Sequence, residues 1–208
     1  MKMMRTTAVA CALILFAGSS LSALTLERGR LRLTLHEESG RFTIAYRPDL
    51  QQNRYIPLFY EDDPRTSGLL VLEDNVTHRM GEAAQFRQQV EETDEGARFT
   101  WTSATLEVVQ DFEFTRSQGS TLADGVVIRL GMTNISETSS DIGARYLFDT
   151  YLAERDNIHF ASPETNRYFQ EAELDSIAYI YTPSRDNEEV GFQIMLEGEG
   201  LTDPSRLV

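Results

Sequence analysis

The sequence has almost no lysine and almost no cysteine. Lys2 and Cys11 are the only residues of their types, and both lie near the N-terminus. Because the rest of the chain has no cysteine, it can form no disulfide and has no thiol chemistry. Because it has no lysine, Schiff-base formation and catalysis by a lysine general base are excluded.

Positive charge of any kind is scarce. The chain has 19 Lys and Arg residues against 33 Asp and Glu residues, a net charge of −14. Such a surface repels nucleic acid and anionic lipid, and it favours cations, basic proteins or neutral sugars as partners. An acidic surface also simply keeps an exported protein in solution. We therefore expect no nucleic-acid partner.

No apolar run is long enough to span a bilayer comfortably. The longest, residues 8–17, follows Lys2 and Arg5 and precedes the small residues of segment 18–23. This order is typical of a cleaved signal peptide. We predict a signal peptide over residues 1–23 and a periplasmic or secreted mature chain, residues 24–208, without a transmembrane segment. At this length the mature chain fits one domain.

Beyond residue 23, apolar and polar residues alternate with the period of half-buried β-strands. The central block contains one such strand at residues 126–133, a polar turn at 134–141 and a second strand at 142–148. Further strands are predicted at 31–35 and 42–46, which form a hairpin, and at 69–72, 86–90, 99–101, 106–114, 177–181 and 190–196. The continuous apolar run 69–72 predicts a strand covered on both faces, and Ser162-Pro163-Glu164 predicts the start of one short helix. The fold prediction is all-β, an antiparallel two-sheet β-sandwich with at most one short helix.

The central block also carries a family resemblance. A strand ending at Asn134 precedes a strand that contains Gly143 and Arg145 and ends in Asp149-Thr150, and an acidic loop, 154–157, follows. This order resembles a pattern in uncharacterised exported bacterial β-sandwich proteins, whose folds are similar to the galactose-mutarotase type. Ala153 stands where a glycine is usual. The resemblance implies a two-sheet sandwich and, as an alternative function, carbohydrate binding or modification.

Catalysis of that kind needs a carboxylate base and a histidine acid on one concave face. The three histidines are His36, His78 and His159, and only His159 lies near an acidic cluster in the sequence. None has a catalytic spacing, and no serine nucleophile elbow, phosphate-binding loop or zinc motif occurs. We therefore interpret the chain as a non-enzyme and its histidines as ordinary surface or half-buried residues.

The strongest candidate site in the sequence is an acidic cluster after the second central strand. Hard oxygen ligands within one loop are what calcium requires, so the cluster predicts a calcium site, although Arg155 competes there. The alternative is that the first acid caps the loop through backbone N–H groups, with Arg129 as its partner across the strands. The predicted ligands are Asp149, Glu154, Asp156 and Asn157. No other cofactor is implied.

Two binding surfaces remain to be weighed. Several aromatic residues could form a platform for sugar stacking or could be core: Tyr46, Tyr55, Phe59, Tyr60 and Trp101. The segment 196–208 reads as a loop that leads into an apolar pair, so either the sheet lacks a C-terminal strand or the tail fills a partner's groove. Both readings predict an unpaired sheet edge near residues 190–196, open to an envelope protein or to a second copy. We predict a non-catalytic binding or assembly module of the cell envelope, with carbohydrate binding as the alternative.

Overall fold

The computed structural model describes residues 23–60, 62–150, 160–165, 173–174, 177–183 and 190–207. Within these ranges every regular element is a strand, which confirms the all-β prediction. This part of the chain also has no helix that is long and apolar enough to cross a membrane. The strands are β1 Ala23–Arg28, β2 Leu31–His36, β3 Arg41–Tyr46, β4 Ile56–Pro57, β5 Gly68–Glu73, β6 Val76–Arg79, β7 Arg87–Glu92, β8 Gly96–Thr102, β9 Leu106–Thr115, β10 Gly125–Asn134, β11 Ile142–Leu147, β12 Tyr179–Pro183 and β13 Gly191–Met195.

Two four-stranded antiparallel sheets form the main body. One has the order β1-β2-β3-β4 and the other β10-β9-β8-β7. Leu31, Leu33 and Leu35 on β2 are buried while the residues between them are half-exposed, as the alternation predicts. The hairpin of β2 and β3 is confirmed.

The inner faces of these two sheets meet through aromatic side chains. The ring of Phe42 on β3 lies 4.7 Å, between centroids, from that of Phe112 on β9, edge to face. Phe99 and Trp101 of β8 stack at 4.9 Å, and both are fully buried. The apolar core is continuous between the layers, so the antiparallel β-sandwich prediction is confirmed.

A three-stranded sheet with the order β11-β5-β6 adds to the same core. Leu69 and Val71 of β5 are buried, but Leu70 is only half-buried and Leu72 is 42% exposed. The prediction that residues 69–72 are covered on both faces is therefore wrong. The strand has neighbours along both of its edges, but only one of its faces packs on the core.

The two strands of the central block belong to different sheets. β10 pairs with β9, whereas β11 pairs with β5, and the polar turn between them is stabilised locally. Asn134 Oδ1 accepts the N–H of Ser136 at 2.9 Å, and Asn134 Nδ2 donates to the carbonyl of Thr138 at 2.7 Å. This separation explains why the predicted pair of Arg129 and Asp149 is wrong. Arg129 instead bonds Glu113 on the neighbouring β9, with Nε 3.0 Å from Oε1.

The last two strands, β12 and β13, form a separate antiparallel ladder. Its inner face buries Ile180 and Thr182, and Phe192 packs against the main core.

Residues 162–165 form a turn in which Thr165 N–H donates to Ser162 Oγ at 3.1 Å. The helix predicted with Ser162 as its N-cap would begin at Pro163, but residues 163–165 are not helical; the residues after them, 166–172, lie outside the described ranges.

Two glycines let two turns touch. Gly40 ends the β2–β3 turn with φ +65°, and Gly81 follows β6 with φ +85°. A Cβ built on Gly81 would lie 1.9 Å from the carbonyl oxygen of Ser39, far inside van der Waals contact. Glycine is required there both by the backbone conformation and by the close approach of the other turn.

A half-buried arginine links the same two turns to the loop between β4 and β5. Arg41, whose side chain is only 12% exposed, grips Asp63 with Nε and Nη2, at 2.7 and 2.8 Å from the two carboxylate oxygens. Its Nη1 lies 3.2 Å from Glu82, and Ser39 Oγ donates to Asp63 at 2.8 Å. The Arg41 bonds, and the Ser39 bond after them, lower the pKa of Asp63 to about 2.

Several buried polar atoms among the described residues have no hydrogen-bond partner, and two of them lie close together. Gln110 on β9, which the sequence places in an apolar phase, is 1% exposed, and its Nε2 has no hydrogen-bond partner among the described residues. The hydroxyl of Tyr146 is also buried without a partner, and both side chains line one small cavity between the sheets.

We predict that Gly81→Ala destabilises the fold more than Gly119→Ala. Both glycines have a positive φ, +85° and +87°, so both substitutions carry the left-handed strain of about 1–2 kcal/mol. Only Gly81 would also place a Cβ against backbone, since nothing lies within 4 Å of a Cβ at Gly119. Denaturant unfolding of the two variants measures the difference. Equal losses would contradict the contact between the two turns.

Candidate functional site

Asp149, the first residue of the predicted calcium cluster, is held by the loop before β5. Its Oδ2 accepts the hydroxyl of Thr66 at 2.5 Å, and its backbone N–H donates to Ser67 Oγ at 2.8 Å. The next residue, Thr150, is buried and forms an isolated bridge with Phe59. Asp149 therefore joins the end of β11 to another loop, in agreement with a structural role.

The other three predicted ligands, Glu154, Asp156 and Asn157, lie outside the described residues. Within the described ranges no group of three or more His, Cys, Asp or Glu side chains is placed to hold a metal ion. The calcium site thus stays a prediction that depends on Asp149 and on that segment. The second carboxylate oxygen of Asp149, Oδ1, has no hydrogen bond within the described residues and could serve such an ion.

We predict that Asp149→Ala lowers the unfolding free energy by about 1 kcal/mol even in the presence of a chelator, because the Thr66 bond is lost. Calcium titration of the wild type tests the metal. If calcium binds, it raises the melting temperature of the wild type but not of Asp149→Ala. Asp74→Ala is the matched control, since Asp74 also bonds a loop hydroxyl, that of Ser140 at 2.5 Å, but lies outside the cluster. A calcium effect of equal size in all three proteins would contradict a site at Asp149.

The two histidines in the described part of the chain, His36 and His78, bond to different partners. His36 Nε2 donates to the carbonyl of Asp62 at 2.6 Å. His78 is half-buried, with Nδ1 accepting from Gln85 at 2.5 Å and Nε2 lying 3.5 Å from the carboxylate of Glu73. His159 lies outside the described residues. His36 and His78 are thus each held by local partners.

The predicted aromatic platform does not assemble as a surface. Phe59 and Trp101 are core residues with 2% and 0% exposure, so neither offers a ring face to a ligand. Tyr60 is 61% exposed, whereas Tyr46 and Tyr55 lie under arginine side chains. The alternation of the strand around Trp101 already places that residue on the buried face.

A groove lies along β12 and β13, and Thr182 and Phe192 are among the residues that line it. It has a volume of about 610 Å³, and its lining includes Tyr179, Tyr181 and Gln193, with Ser162 and Pro163 at one side. The two tyrosine rings are 6.2 Å apart and inclined by 47°. The sequence signal was the pair of tyrosines two residues apart, which a strand places on one face.

The backbone of β13 adds a second feature to this region. Leu196 N–H donates to Ala178 at 2.9 Å, while Tyr181 exchanges two backbone bonds with Ala161 on the other side of β12. Bonding direction alternates along an antiparallel ladder. The N–H and C=O groups of Gly191, Gln193 and Met195 therefore point away from β12. All three residues are exposed, and in the described ranges β13 pairs with no other strand.

The comparisons with known proteins add no relative. No protein-family model, no curated protein and no solved structure matches the chain.

Proposed function

We propose that this protein is a non-catalytic binding or assembly module, exported to the cell envelope, which takes up an extended segment of a partner protein along β13. The observation that carries the proposal is the backbone edge at Gly191, Gln193 and Met195, which no other described residue pairs with. An edge of this kind binds an added strand through main-chain hydrogen bonds. The signal-peptide pattern of residues 1–23 supports export.

The charge around this edge favours a basic partner. Glu197, Glu199 and Asp203 follow β13, and the nearby Arg206 is already paired with Glu173, 2.9 Å from Nε to Oε1. The chain as a whole carries −14. A second copy would bring the same acids to the edge, so repulsion disfavours self-association and an arginine- or lysine-bearing strand fits better.

We predict that a synthetic peptide with alternating valine and arginine slows hydrogen exchange at the amides of Gly191, Gln193 and Met195. Gln193→Pro abolishes this protection, because the lost N–H points to the free edge. The fold is retained, with the unfolding free energy within about 0.5 kcal/mol of the wild type. Hydrogen exchange and denaturant melts measure the two effects.

Ile194→Pro is the matched control, since the N–H of Ile194 points to Ile180 of β12. This variant should lose on the order of 1 kcal/mol or more of stability. A peptide alternating valine and glutamate controls for charge and should not bind. If amides 191, 193 and 195 are fully protected in the free protein, or if Gln193→Pro unfolds it, the edge is not available. If sedimentation shows a dimer in the absence of peptide, the edge of β13 binds a second copy of the chain instead of a partner protein.

The groove along β12 and β13 favours a second candidate function, the binding of a neutral sugar. Tyr181 and Tyr179 offer ring faces for stacking, and Gln193 offers an amide beside them. Within the described residues the Gln193 amide donates to the sulfur of Met195, at 2.8 Å, a weak acceptor that a sugar hydroxyl can replace.

If the groove binds sugar, Tyr181→Ala weakens binding roughly tenfold through the loss of stacking. Tyr60→Ala, which removes an exposed tyrosine elsewhere, leaves binding unchanged. Titration of a panel of neutral oligosaccharides, followed by tyrosine ring signals in NMR, gives the affinities. The absence of any shift at Tyr179 and Tyr181 across the panel would contradict this function.

A further inference from the structure

Arginines concentrate near the paired ends of β1, β2 and β3, although the chain is strongly acidic. Arg32 and Arg47 both lie over the ring of Tyr55, with their Cζ atoms 3.8 and 5.3 Å from its centroid. Arg30 lies beside them, 6.0 Å from the ring centroid of Tyr46. The region is positive within a protein of net charge −14.

The two arginines over Tyr55 differ in how their charge is satisfied. Arg32 is paired with Glu27, because its Nε and Nη2 lie 2.8 and 2.7 Å from one carboxylate oxygen. The guanidinium of Arg47 makes no ion pair and no hydrogen bond with the described residues, and its buried Nε has no acceptor. A buried N–H without an acceptor costs free energy, and a half-buried arginine without an acidic hydrogen-bond partner is available to an anion.

The backbone holds Arg47 in place without using its side chain. Its N–H donates to the carbonyl of Arg30 at 2.7 Å, and its own carbonyl accepts from Arg30 Nη1 at 3.2 Å. Asp49, the acid nearest in sequence, is committed within its own loop, where it accepts from Gln51 and Gln52 at 2.9 and 2.8 Å. Among the described residues the Arg47 guanidinium thus has no hydrogen-bonded acid, and Glu27 acts on it only through space.

We propose that Arg47, which lies over Tyr55 beside Arg32, binds the carboxylate of a small acidic ligand, such as an acidic sugar. The two terminal N–H groups of a guanidinium match the two oxygens of a carboxylate. Over the ring of Tyr55, Glu27 offsets Arg32, which leaves the positive charge of Arg47 to attract a single carboxylate. A dianionic phosphate would meet repulsion from Glu27, and a polyanion would meet the acidic remainder of the protein.

The test uses the whole protein and three probes. Glucuronate carries the carboxylate, glucose is its neutral match, and inorganic phosphate is the competing oxyanion. Glucuronate is expected to shift the NMR signals of the Arg47 side chain and the Tyr55 ring, whereas glucose leaves them unchanged. Phosphate that binds more tightly than glucuronate would overturn the carboxylate assignment. Equal shifts with glucose and glucuronate would overturn the role of charge.

Variants locate the site. Arg47→Gln should weaken glucuronate binding about tenfold or more, and Arg47→Lys, which keeps the charge but loses the planar fork, should give an intermediate loss. Arg87→Gln removes an exposed arginine of β7 and should change nothing. If it weakens binding as much as Arg47→Gln, only general attraction acts and the proposal fails. The wild-type comparison of glucuronate with glucose tests the site even if a variant does not fold.

Discussion

The contact of Phe42 with its aromatic neighbours is the interaction on which the sandwich depends. From β3 this ring reaches Phe112 of the opposite sheet at 4.7 Å, Phe59 of the loop after β4 at 5.7 Å, and Phe148 after β11 at 6.4 Å. One side chain therefore joins elements from three sheets. Such edge-to-face pairs add to the burial of large apolar surfaces, so loss of this ring would loosen the layers together.

Because the core takes up one face of each sheet, recognition must occur at edges, outer faces and loops. The chain closes some of these by local means. Near the β2–β3 turn, the close contact of Gly40 with Gly81 and the ion pair of Arg41 with Asp63 hold the loops at that end of the sandwich together. Within the described residues, the outer edge of β13 has no partner strand and the Nε of Arg47 over Tyr55 has no acceptor. Both proposals rest on that contrast between satisfied and unsatisfied groups.

The strands were predictable where one face is buried and the other is exposed to solvent, as in β2 and β9, because apolar residues then alternate with polar ones along the sequence. Pairing was not. The partner of β11 is β5, some seventy residues earlier, and nothing in either segment encodes the other, so the predicted pair of Arg129 with Asp149 failed. The apolar run 69–72 led to the wrong prediction of a strand covered on both faces, because Leu72 is apolar yet exposed. For the site, only Asp149 of the four predicted ligands lies in the described ranges, and the groove depends on strands that meet only after folding.

Because nearly all positive side chains are arginines, several of the positive charges are held at fixed positions over aromatic rings. Arg28 over Phe114, Arg30 over Tyr46 and Arg32 over Tyr55 each rest on an aromatic ring, which holds the guanidinium in one position. A lysine ammonium, compact and strongly hydrated, would stay in solvent. Since screening acts within about 8 Å at physiological salt, a ligand responds to the charges near it more than to the net charge. The positive region over Tyr55 and the acids beside β13 can therefore select ligands of opposite sign on one acidic protein.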